Sequence, residues 1–190
     1  SILHSEVAPG ATLKRALLTT YDRADERLLA ENLLPFWLKL SREPESEGAE
    51  RQVFLMELDQ HLKMLHGKIV VISSMVKERG DDDPTPGSGD YPWIWRSIQQ
   101  LFVGRAGEAV QHAKLWLLHW AEEDVTGSDE VAESIEIVVS SANLTMDALK
   151  NQIQGAWRTT VPLVSRAPAQ ARERSWGILP AFLRELGASS

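Results

Sequence analysis

The sequence predicts an α/β fold with a mixed central sheet and helices on both faces. Two patterns predict it: short aliphatic runs rich in Val, Ile, Leu and Thr recur along the chain, and stretches with apolar residues at helical spacing lie among them. A third observation sets the scale. At 190 residues, 43% hydrophobic and 25% charged, the chain can fill one core and is too short for two ordinary domains. Residues 1–190 are therefore read as a single domain.

In chain order, residues 15–21 (RALLTTY) predict the first strand. Asp22 and Asp25 then precede Leu28, Leu29, Leu33, Leu34, Trp37 and Leu40, the spacing of a helix with acidic residues at its start, where the macrodipole favours them. Pro35 lies inside that stretch and kinks or divides it, because it has no N–H to contribute to the helical ladder. Residues 41–50 are polar, contain Pro44 and Gly48, and read as a loop. Residues 51–57 (RQVFLME) and 68–73 (KIVVIS) read as strands buried on both faces. Residues 80–92 (GDDDPTPGSGDYP) form a loop too rich in Asp, Gly and Pro to pack, and residues 93–102 predict a short helix.

Residues 114–120 (KLWLLHW) and 135–141 (IEIVVSS) are the strongest strand signals, joined by an acidic turn containing Thr126, Gly127 and Ser128. Thr145 and Asp147 open a short helix, and residues 152–159 predict another strand. Trp176, Leu179, Phe182, Leu183 and Leu186 share one face of a closing amphipathic helix. Trp116, Trp157 and Trp176 are assigned to the core, and Trp93 and Trp95 to packing beneath the neighbouring loop.

Composition narrows the function. The absence of cysteine excludes disulfides, thiolate catalysis and a Cys-rich zinc site, and fits a reducing compartment. A formal charge of −7 argues against coating nucleic acid by bulk positive charge, though not against a small phosphate site with local cations. The longest apolar runs are too short for a bilayer, and the first residues lack the basic and apolar regions of a signal peptide.

The residues that carry chemistry are His112-Ala113-Lys114, at the head of one strand, and Ser140-Ser141-Ala142-Asn143, at the end of the next. Strand alternation puts His112 and Lys114 on one face. If the two strands pair antiparallel, Asn143 falls beside them. An imidazole to attack phosphorus, with an ammonium and a carboxamide to hold its non-bridging oxygens, is a working set for phosphoryl transfer. Each element alone has a blander reading: a His-x-Lys before a strand is usually a solvated strand end, and an Asn after one usually bonds its own backbone. His61-Leu62-Lys63 and His66-Gly67-Lys68 repeat the spacing. His66 even precedes a strand, but Ser73-Ser74 is followed by Met75 and Val76, with no Ser-x-Asn partner. His119 alternates away from His112 and Lys114, toward the opposite face.

Together, the His112-x-Lys114, Ser141-x-Asn143-Leu144 and Gln154-Gly155-Ala156-Trp157 elements resemble the phospholipase D superfamily, and within it the tyrosyl-DNA phosphodiesterase branch. That branch lacks the Asp which the superfamily usually carries five residues after the Lys, and His119 stands there in this chain. The resemblance is good from Gln111 to Trp157 and weaker upstream. It implies a metal-free, cofactor-free phosphodiesterase acting through a covalent phosphohistidine. His112 would be the nucleophile, Lys114 and Asn143 the phosphate ligands, and Gln154 a positioning residue. It implies DNA, or a DNA–peptide adduct, as substrate, no membrane partner, and an intracellular setting, nuclear in a eukaryote and cytoplasmic in a bacterium.

The superfamily builds its site from two such sets, the second His serving as general acid and base. This chain has one set, and no histidine follows Trp157. The resemblance therefore implies a phospholipase D-like N-terminal half completed by a second half on the same longer chain. The alternatives are a homodimer pairing two copies of His112, as in HKD-type defence nucleases, and a degenerate half that binds phosphodiester ends without cleaving them.

Overall fold

The computed structural model describes residues 10–44, 47–74, 91–105, 109–110, 112–122, 132–163, 181 and 184. β1 (Ala11–Thr20) is followed by a helical stretch in three pieces: α1 (Glu26–Leu28), a π-helical turn (Leu29–Leu33) and α2 (Leu34–Trp37). Pro35 explains the division. It cannot donate to the carbonyl one turn back, and the Leu34 N–H bonds instead to Leu29, five residues earlier. Asp25 caps the start, its carboxylate accepting from the N–H groups of Arg27 at 2.8 Å and Leu28 at 3.3 Å.

α3 (Gly48–Met64) overturns the strand expected over residues 51–57 and trims the loop expected over 41–50. Only Phe54, Leu58 and Leu62 are buried along it, a stripe of side chains spaced by four, while Val53 and Met56 face out. The consecutive apolar residues imitated a two-faced strand; the helix buries one stripe of them.

β2 (Ile69–Ser74) follows, then a 3-10 turn (Pro92–Arg96) and β3 (Ile98–Arg105), which together replace the helix expected over residues 93–102. β4 (Ala109–Val110), β5 (Leu115–Glu122), β6 (Glu133–Ser140), α4 (Met146–Lys150) and β7 (Ala156–Leu163) complete the described elements. Thr145 caps α4 as its sequence position suggested, and β7 begins later and runs further than the strand expected over 152–159. The closing helix expected over residues 176–186 lies outside the described residues, apart from the helical Ala181 and Arg184. So do the loop expected over residues 80–90 and the acidic turn at Thr126.

The fold is α/β, as expected, on a mixed sheet. The described strands form one seven-stranded sheet of order β4-β3-β2-β1-β5-β6-β7. β1 pairs parallel with β2, and β2 with β3; β1–β5, β5–β6 and β6–β7 are antiparallel. Registers Leu18↔Val71, Leu18↔Trp116 and Trp116↔Val138 align large side chains across four strands on one face. These join Leu28, Leu33, Trp37, Phe54, Leu58 and Leu62 of the helices in the main core. The rings of Trp37 and Trp116 meet edge-on at 6.0 Å.

Trp93 and Trp95 pack against this core, while the loop they were expected to lie beneath falls outside the described residues; Trp157 corrects its assignment, being 58% exposed on β7. Among the described strands, β7 has a neighbour on one side only. Among the described residues, no helix is long and apolar enough to cross a membrane.

Candidate active site

Antiparallel pairing brings the C-terminal ends of β1 and β6 to the N-terminal end of β5. The β1–β5 ladder stops at Leu18↔Trp116, and the side chain of Thr19 takes over beyond it. Thr19 Oγ1 donates to the carbonyl of Ala113 at 2.8 Å and accepts from the N–H of Leu115 at 2.8 Å. One buried hydroxyl thus holds the segment between His112 and Leu115 against β1. Thr20 serves the other loop: its Oγ1 accepts from the N–H of Leu144 at 3.0 Å. The N–H of Asp25 adds a bond to the Leu144 carbonyl at 2.7 Å.

The ammonium of Lys114 sits 3.2 Å from Nδ1 and 3.3 Å from Nε2 of His112, and 3.1 Å from the His112 carbonyl. Whichever ring nitrogen carries the lone pair accepts from it. The Tyr21 ring flanks both residues, its centre 5.0 Å from that of the imidazole and 5.9 Å from Lys114 Nζ, within cation–π range. Lys114 is 8% exposed. Burial lowers its pKa below the ordinary lysine value, and the charge of Asp22 opposes that shift.

Asn143 is held at both ends of its carboxamide. Its Oδ1 accepts from the Tyr21 N–H at 3.3 Å, and its Nδ2 donates to Asp22 Oδ2 at 2.5 Å. Gln154 lies between α4 and β7. Its Oε1 accepts from Ser141 Oγ at 2.5 Å and its Nε2 donates to Gln152 at 2.9 Å, so its contacts are with the Asn143 loop rather than with His112 or Lys114. His112, Lys114 and Asn143 therefore share one end of the sheet, linked through Tyr21 and Asp22.

His66 stands just before β2, at the opposite end of the sheet from His112, because β2 runs parallel to β1 and antiparallel to β5. His119 lines a cavity of about 520 Å³ with Arg15, Leu17, Val70, Leu117 and Ile135, on the sheet face away from the main core. Its Nε2 lies 3.3 Å from Glu133.

Solved structures that the chain resembles include those of yeast tyrosyl-DNA phosphodiesterase. A form of that protein with a histidine-to-arginine substitution aligns at 12% identity with a TM-score of 0.45, over 83% of this chain and 28% of the other. Another structure of the yeast protein aligns at 15% identity with a TM-score of 0.38, over 78% and 26%. This chain thus spans about a quarter of the length of the solved structures it matches. No protein-family model and no curated protein matches it.

Thr19, Thr20, Tyr21 and Asp22 are the site residues that sequence reasoning missed. Their signal was present as a polar run, Thr-Thr-Tyr-Asp, directly after the aliphatic Ala16-Leu17-Leu18. Two adjacent threonines at such a position, both fully buried, are unusual unless their hydroxyls have backbone to bond. Among the described residues, no cluster of three His, Cys, Asp or Glu side chains is placed to hold a metal ion.

Proposed function

We propose that this chain is the nucleophile half of a phosphodiesterase that acts on adducts at DNA 3′ ends. The observation that carries the reading is the meeting of an imidazole, a buried ammonium and a carboxamide at one sheet end: His112, Lys114 and Asn143. The ammonium of Lys114 caps the His112 ring. A phosphodiester arriving there offers its non-bridging oxygens to Lys114 and to the second N–H of Asn143, drawing the ammonium off the ring nitrogen. That nitrogen attacks phosphorus. The N–P bond forms as the P–O bond to the leaving group breaks, and the departing oxygen takes the electron pair. A proton from an acid on a second half neutralises it. Water then attacks phosphorus, giving its proton back to that second-half group, the N–P bond breaks with its electron pair returning to nitrogen, and the imidazole is regained with release of a phosphate monoester. Gln154, bonded to Ser141, steadies the Asn143 loop in this scheme.

The general kind, a phosphodiesterase, agrees with the name of the yeast protein whose solved structures the chain resembles. A second half on a longer chain fits the quarter-length span of that likeness.

The test compares leaving groups. A phenolate departs with little protonation, whereas the alkoxide of unmodified DNA needs an acid, which this reading assigns to a second half; general acid–base assistance is worth roughly 10²–10⁴-fold. The isolated chain should give trace turnover on an aryl phosphodiester in EDTA and none on plain DNA, with cleavage of DNA adducts restored by a second half. Loss of all aryl activity in EDTA, with recovery on adding a divalent cation, would refute the metal-free scheme. Full cleavage of plain DNA by a verified monomer would refute the half-site.

A further inference from the structure

We propose that Asp22 is a specificity-determining residue, which makes this site prefer singly charged phosphodiesters to doubly charged phosphate monoesters. The proposal deepens the phosphodiesterase reading above and rests on its phosphate site. Asp22 follows Tyr21 at the end of β1 and is exposed, yet it is not a freely swinging surface carboxylate. Its Oδ2 accepts from Asn143 Nδ2 at 2.5 Å, and the adjacent Tyr21 N–H fixes the other end of that carboxamide at 3.3 Å. A negative charge is thereby fastened to a group assigned to hold a phosphate oxygen.

The consequence is electrostatic. Lys114 brings one positive charge to the site and Asp22 sets one negative charge against it, so the two leave a polar cradle with little net charge. Hydrogen bonds from Lys114 and from the second N–H of Asn143 are available to a diester and a monoester alike. The ligands differ by one negative charge, which in the monoester must sit within a few ångströms of Asp22. At ~5 Å in a water-screened setting, that extra repulsion amounts to about three- to tenfold in affinity. Hydrolysis of a diester yields a monoester, so the same carboxylate that tolerates the substrate weakens the hold on the product and on free phosphate.

The experiment uses a matched, uncleaved pair of ligands: phenylphosphonate, doubly charged at pH 8, and its singly charged monomethyl ester. Each is titrated into the full 190-residue chain, with binding read from the NMR signals of the His112 ring. Asp22→Asn keeps an oxygen to accept from Asn143 but removes the charge. It should tighten phenylphosphonate binding about three- to tenfold more than ester binding. Asp22→Ser, in the same exposed position, should move the preference the same way. An unchanged preference in either folded variant overturns the role of Asp22. If neither ligand moves the His112 signals of the unsubstituted protein, the phosphate-site reading itself fails and this proposal falls with it.

Discussion

Replacing Thr19 by Val keeps the shape of the side chain and removes its only polar atom. Thr19 is fully buried, and its hydroxyl satisfies the Leu115 N–H and the Ala113 carbonyl at 2.8 Å each. A methyl group in its place strands the buried N–H of Leu115, costing about 1–3 kcal/mol, and loses a further hydrogen bond worth about 1 kcal/mol. The total, about 2–4 kcal/mol, is a large share of the ~5–15 kcal/mol that holds a typical domain together. At ~2–4 °C per kcal/mol for a chain of this size, Tm should fall by about 5–15 °C. The internal control is Thr12→Val, on the same strand. There the hydroxyl makes one bond to the Ala121 carbonyl at 3.2 Å in a partly buried setting, so the loss should stay below about 1 kcal/mol. Urea denaturation followed by circular dichroism measures both. If Thr19→Val costs no more than Thr12→Val, the hydroxyl is not what fastens the His112 segment to β1, and that account of the site's construction is wrong.

Two further outcomes follow from the charged groups in the interior. Glu136 is fully buried on β6, with Arg158 of β7 at 3.1 Å and the Trp120 indole N–H at 3.1 Å. Glu136→Leu should cost about 3 kcal/mol or more by leaving the Arg158 charge without that carboxylate, whereas Glu136→Leu with Arg158→Leu should recover part of that loss, the remainder of about 1–3 kcal/mol being the Trp120 N–H left without its acceptor. Equal losses in urea melts would deny the coupling. Tyr91, buried and bonded to Glu31 at 2.6 Å, has its pKa pushed up to about 12 from 10.0, first by burial and then by that carboxylate. Its folded form holds the proton more tightly, so this stability is complete below pH 10 and lost as pH rises toward 12. Tyr91→Phe should flatten that alkaline decline by about 2 kcal/mol, and parallel pH–stability curves for the two proteins would contradict it.

The parts of the fold that were legible in the sequence are those where local pattern and tertiary environment agree. β1, β2, β5 and β6 sit near the middle of the sheet and read as aliphatic runs; Thr145 caps α4 through a contact three residues away. α3 was misread because Val53, Leu55 and Met56 thicken the apolar signal around Phe54 until its spacing of four disappears, although Val53 and Met56 remain at the surface. β3 was missed because its paired Gln99 and Gln100 interrupt strand alternation, and what makes it a strand is pairing with β2 from Ile69↔Ile98 to Ser74↔Val103. The trio His112, Lys114 and Asn143 was visible because strand alternation and one antiparallel pairing suffice to gather it. Tyr21 and Asp22 were not, since their meeting with residues more than ninety positions away depends on the β1–β5 register and on where that ladder ends.

The most direct test of the account is to find the covalent intermediate. The chain is incubated with an aryl phosphodiester in EDTA, digested without acid exposure, and its peptides are examined by mass spectrometry alongside ³¹P NMR of the intact protein. The account expects a phosphoramidate on the peptide bearing His112, absent from His112→Ala and diminished in Lys114→Ala. A phosphoryl group on His66 or His119, or an adduct that survives in His112→Ala, would contradict it.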